Sequence, residues 1–72
     1  MKKLYAVVKH SQGFDWEDYD TVCLVETEEL AKSAVEWLEK NDEAIPDTRH
    51  EYYFYQQTVV GNMDEFIEFW ES

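Results

Sequence analysis

Strand-like apolar patterns in three stretches of this chain flank one in which apolar side chains recur at every third or fourth residue, and a second such helical stripe follows the last of them. That switch of period, from two to about 3.6 and back, restricts the fold to strands enclosing a helix. From Lys3 to His10, Tyr5 and Val7 alternate with Leu4, Ala6 and Val8, so both faces are apolar and a central strand is expected. Ser11, Gln12 and Gly13 interrupt the pattern, and Gly13 permits a positive φ. Tyr19 to Glu26 reads as a second strand, with Val22 and Leu24 on one face and Thr21, Cys23 and Val25 on the other. Residues 11 to 18 form a hairpin connection loaded with acid.

Thr27 is placed to cap a helix, and Glu28 and Glu29 follow at the positive end of its dipole. Leu30, Ala34, Trp37 and Leu38, flanked by Ala31 and Val35, form an apolar stripe through Lys40, and Asn41 closes the helix. Asp42 to Arg49 is a polar connection whose Pro46 stops the helix from continuing. His50 to Val60 is rich in aromatic and β-branched residues and reads as a third strand. Tyr52, Phe54, Gln56, Thr58 and Val60 lie on one face, and Tyr53, Tyr55, Gln57 and Val59 on the other. Beyond Gly61, Asn62 caps a short helix whose stripe is Met63, Phe66, Ile67 and Trp70, with Glu65 at capping-box spacing.

The expected fold is therefore α+β, order ββαβα, in a single domain over residues 1–72. A three-stranded antiparallel sheet of order 2-1-3 packs against one helix, with a short C-terminal helix following. Helix one covers one sheet face. The other, expected to carry part of Tyr5, Val7, Tyr53, Tyr55 and Val59, needs a cover, from the C-terminal helix or from a second copy.

Seventeen acidic residues against six basic ones give a formal charge of −11. High charge alone favours disorder, but 44% of the residues are apolar and 17% aromatic, so a folded globule is expected. From Asp15 to Glu29 the chain has seven carboxylates and no Lys or Arg. Such a surface repels nucleic acid and anionic membranes and attracts basic surfaces over about 8–10 Å at physiological salt. Cys23 is the only cysteine, which excludes an internal disulfide and suits a reducing, cytoplasmic setting. The longest apolar run, Leu4 to Val8, falls far below the ~20 residues of a membrane span, as does Tyr52 to Tyr55.

Chemistry-bearing patterns are few. His10, Cys23 and His50 include a thiol and two imidazoles, but Cys23 sits between Val22 and Leu24 in a strand, where a cysteine usually acts as a small buried hydrophobe. Their spacing matches no zinc pattern. An EF-hand alignment from Asp15 puts Glu17 at position three and Glu26 at twelve, but Tyr19 at five and Asp20 at six break it. No phosphate loop or dinucleotide fingerprint is present. Neither a catalytic residue, a metal ligand nor a cofactor is assigned, and a non-enzymatic protein is expected.

Carboxylates at i and i+2 of a strand stand roughly 6–7 Å apart, a spacing that suits Lys and Arg groups built to hold successive phosphates. Asp15 with Glu17, and Asp18 with Asp20, follow that pattern; Glu36 and Glu39 do so on a helix. The acidic candidates for binding a partner are Asp15, Glu17, Asp18, Asp20, Glu26, Glu28 and Glu29, extended by Glu36, Glu39, Asp42 and Glu43. Tyr53 and Tyr55 are the candidates for an interface on the aromatic strand.

The strand Lys2-Lys3-Leu4-Tyr5-Ala6-Val7-Val8, followed by a hairpin and the helix start Thr27-Glu28-Glu29-Leu30-Ala31, resembles small acidic bacteriophage accessory proteins of ββαβ type over residues 2–60. The resemblance implies host takeover or counter-defence, such as anti-restriction or anti-CRISPR action, by binding one bacterial protein in the host cytoplasm. It brings no residue-level motif with it.

Two functions follow as expectations. One is a DNA-mimic inhibitor that binds the basic surface of a bacterial nucleic-acid-binding protein and touches neither nucleic acid nor membrane. The other is a homodimeric structural or interaction module that works through its aromatic strand, its acids serving solubility.

Overall fold

A strand apolar on both faces belongs in the middle of a sheet, and β1 (Lys2–Gln12) is paired along both edges in the computed structural model, which describes residues 1–42 and 48–72. Its neighbours are β2 (Glu17–Val25) and β3 (Arg49–Val59), both antiparallel, giving the order β2-β1-β3. α1 (Glu28–Asn41) joins β2 to β3 and α2 (Met63–Glu71) ends the chain. The expected α+β fold, its ββαβα order and its sheet topology are thus observed. The strands run slightly further into the hairpin than the hydrophobic pattern indicates, because main-chain pairing continues from His10 with Tyr19 to Gln12 with Glu17. Pro46 and Glu43 lie outside the described residues.

Register decides which side chains share a face. Tyr5, Val7 and Lys9 stand beside Gln56, Phe54 and Tyr52, and the Tyr5 and Phe54 rings meet edge to face at 6.2 Å. Ala6 and Val8 stand beside Tyr55 and Tyr53 on the opposite face. Tyr5 and Val7 therefore belong to the face under α1, correcting the expectation that they share the other face with Tyr53, Tyr55 and Val59.

A bulge shifts β2. Val7 pairs with Cys23 but Val8 pairs with Thr21, leaving Val22 as the extra residue. Past that point the alternation reverses, so Thr21 and Leu24 occupy the same face. The bulge thus takes Thr21 off the face that simple alternation assigned to it with Cys23 and Val25.

Thr27 caps α1 as expected: its Oγ1 accepts the Leu30 N–H at 3.1 Å. The buried stripe, however, is rotated from the expected one. Ala31 is fully buried, with Ala34, Val35 and Leu38 half-buried, while Leu30 and Trp37 are exposed. Small Ala31 and Ala34 let the helix approach the sheet closely, and the larger pair is turned to its margin. α1 lies mainly over β3 and β1 and only lightly over β2. Cys23, expected to be buried, is consequently exposed even though it faces the α1 side. The buried apolar core among the described residues is small: Ala6, Val7, Val8 and Ala31.

Candidate functional site

The hairpin between β1 and β2 gathers the first acidic group. Gly13 makes the turn through close approach, since a Cβ there would collide with the Trp16 indole. Its N–H donates to the Trp16 carbonyl at 2.9 Å, and its backbone is not in the left-handed region, so the positive φ that glycine permits is not used and the close approach of the indole is what requires glycine. Phe14 at the tip is wholly exposed (101%), and Trp16 and Tyr19 are about half exposed, at 49% and 56%. Asp15, Glu17, Asp18 and Asp20 alternate with these three aromatics and are all exposed. Sequence reasoning missed Phe14 and Trp16. The signal available was their interleaving with acids in a connection too short to bury them.

β2 splits the acids between faces. Asp18 and Asp20 pair with Ser11 and Lys9 and share the α1 side, roughly 7 Å apart by strand geometry. Glu17 stands on the opposite face with Tyr19. There its carboxylate lies 3.4 Å from His10 Nε2, while Glu51 lies 3.6 Å from His10 Nδ1. The Tyr19 ring stacks on His10 with centroids 4.4 Å apart and planes within 5°. The charge of Glu17, followed by partial burial, raises the Tyr19 phenol above its ordinary pKa.

The remaining candidates are not gathered here. Glu26, Glu28 and Glu29 lie at the far end of β2, roughly 20 Å of extended strand from Asp20. Lys2 lies 4.0 Å from Glu26 and Lys32 lies 3.5 Å from Glu28, so this second group is partly countered. Glu36 and Glu39 are exposed on α1. Asp42 is otherwise engaged: its carboxylate lies 2.8 Å from His50 Nδ1, beside Tyr52. Glu43 is outside the described residues. Of the four acids at the hairpin end, only Glu17 is paired with a basic side chain among the described residues, the imidazole of His10 at 3.4 Å.

Tyr53 and Tyr55 are exposed on the sheet face opposite α1, in the company of Leu24 and Val59. Among the described residues, no group of three or more His, Cys, Asp or Glu side chains is arranged to hold a metal ion. Among the described residues, no helix is long and apolar enough to cross a membrane. Comparison with protein-family models, curated proteins and solved structures yields no match.

Proposed function

We propose that this chain is a non-enzymatic binding protein whose hairpin end occupies a basic, nucleic-acid-binding surface of a bacterial protein, in the manner of a DNA mimic. One observation carries the reading: Asp15, Glu17, Asp18 and Asp20 are all exposed at one hairpin end, Asp18 and Asp20 on the α1 side and Glu17 on the other, with no Lys or Arg ion pair among the described residues. Carboxylates so placed keep their attraction for a basic surface and release its counterions on binding, as phosphates do. Phe14 and Trp16 add an apolar anchor of the kind that dominates binding energy at interfaces. The resemblance to bacteriophage accessory proteins agrees with a host target.

Capture from bacterial lysate on the immobilised protein, at low and at moderate salt, tests the reading. The expected catch is a nucleic-acid-binding protein that is released by salt and displaced by added duplex DNA. Asp15, Glu17, Asp18 and Asp20 changed together to Lys should abolish its capture. Undiminished capture by that variant overturns the assignment of the surface, and a partner indifferent to DNA overturns the mimicry.

A further inference from the structure

Two apolar surfaces are left open among the described residues, one a sheet face and one a helix stripe. The sheet face opposite α1 presents Leu24, Tyr53, Tyr55 and Val59 around buried Ala6 and Val8. α2 presents Met63, Phe66, Ile67 and Trp70, spaced as one helical stripe; Trp70 is 77% exposed and none of the helix's residues is buried. A helix of nine residues is too short to persist in water on its own hydrogen bonds, so α2 needs a surface to lie on. None of the other described elements packs against it.

The junction holds the first turn of α2 at the end of the sheet. Asn62 Oδ1 accepts the Glu65 N–H at 2.9 Å, and the Glu65 carboxylate accepts the Gly61 N–H at 3.0 Å. The same carboxylate lies 3.6 Å from the Met1 amino group. These contacts orient α2 as it leaves β3. The result is a body of 49 × 28 × 16 Å with a radius of gyration of 15.5 Å, where roughly 11 Å is usual for a compact chain of this length. The short axis accommodates one sheet and one helix layer, and none of the described elements forms a third layer on the open face.

The exposed area points to the occupant. The chain exposes 5839 Å², against roughly 4,700 Å² for a compact monomer of its mass, an excess of roughly 1,100 Å². One partner in a stable dimer buries about 800 Å² or more. Helix stripe and sheet face are both carried by every copy, so a two-fold pairing satisfies each of them at once. We propose that this chain forms a homodimer in which α2 of each copy lies across the open sheet face of the other. The pairing stands independently of the acidic-surface reading. α2 follows Val59, which pairs with Lys2, whereas the hairpin lies at the other end of β1.

Sedimentation equilibrium from micromolar to near-millimolar concentration, with isotope-filtered nuclear Overhauser spectra on a mixture of labelled and unlabelled protein, tests it. The expected result is twice the chain mass, with contacts from Phe66 and Ile67 of one copy to Tyr53 and Tyr55 of the other. I67D and Y55D should each weaken dimerisation roughly thirtyfold or more, the effect of losing a hot-spot residue. Both positions are exposed in the single chain, so the strand signal in circular dichroism should persist. A single-chain mass throughout, α2-to-sheet contacts within one copy only, or a dimer lacking those contacts overturns the proposal. The unsubstituted protein decides the matter even where a variant fails to fold.

Discussion

The Asp42 carboxylate, at the C-cap of α1, lies 2.8 Å from His50 Nδ1 in β3 and so fastens the helix end to the edge of the sheet. The hydrogen bond from His50 is the main cause that holds Asp42 below the ordinary aspartate range, with the Tyr52 hydroxyl and the positive charges of His50 and Lys9 acting in the same direction. A carboxylate with a depressed folded pKa contributes stability that is complete above its unfolded pKa and is lost as pH falls through the folded value. Acid unfolding should therefore draw on this contact from the ordinary aspartate range downward. D42N should destabilise the protein at neutral pH and flatten the acid limb of a plot of stability against pH. An acid limb identical to that of the unsubstituted protein contradicts this role.

T27A removes the acceptor for the Leu30 N–H and should cost about 1 kcal/mol in urea unfolding. In a chain of this size that corresponds to a midpoint lower by roughly 4–8 °C. T27S keeps the hydroxyl and should retain most of the stability. An equal loss in both variants would place the effect elsewhere than in the cap.

Gly13 and Trp16 should be energetically coupled, because the indole occupies the space a Cβ would need. G13A should shift the tryptophan fluorescence and destabilise the hairpin by about 1–3 kcal/mol, the usual cost of overpacking. In a W16A background the same change should cost much less. A double-mutant cycle on chemical unfolding measures the difference, and additive losses would refute the contact.

The fold was legible because hydrophobic period, caps and turn residues agree with one another. Thr27 and Asn62 cap the helices they were expected to cap, and the alternation of β3 assigns Tyr52 and Phe54 to one face and Tyr53 and Tyr55 to the other. Three features were not legible. The bulge at Val22 changes β2's facing without any Gly or Pro to announce it. The turn of α1 that buries Ala31 and exposes Trp37 depends on how closely helix and sheet approach, a tertiary quantity. The candidate acids are contiguous in sequence from Asp15 to Glu29, but an extended strand carries them apart in space. Only the hairpin group stays together, and its aromatic companions emerge once the tip is seen to be exposed.

Val7 is the one large side chain fully enclosed among the described residues, set between Cys23 and Phe54 on the α1 face. V7A should cost about 2 kcal/mol, from two lost methyl groups and the cavity left behind. V22A, on the bulge and half exposed, should cost well under half as much. Equal losses at the two sites would mean that something outside the single chain covers Val22, a result that dimer mass would then interpret.

Salt should move the two proposed associations in opposite directions. Each chain carries −11, so bringing two copies together sets like charges within about a Debye length, 10 Å at 0.1 M salt, and screening relieves that repulsion. The dimer should therefore tighten as salt rises from low to moderate concentration, most of its attraction coming from apolar area that salt does not weaken. Binding of a basic partner to Asp15, Glu17, Asp18 and Asp20 should loosen over the same range, since counterions return to both surfaces. Sedimentation measures the first equilibrium and calorimetric titration with a captured partner the second. If both weaken with salt, the self-association rests on charge pairing and not on α2 and the open sheet. If both tighten, the partner is held by the aromatic residues Phe14 and Trp16, and the acids at the hairpin serve only to keep the chain in solution.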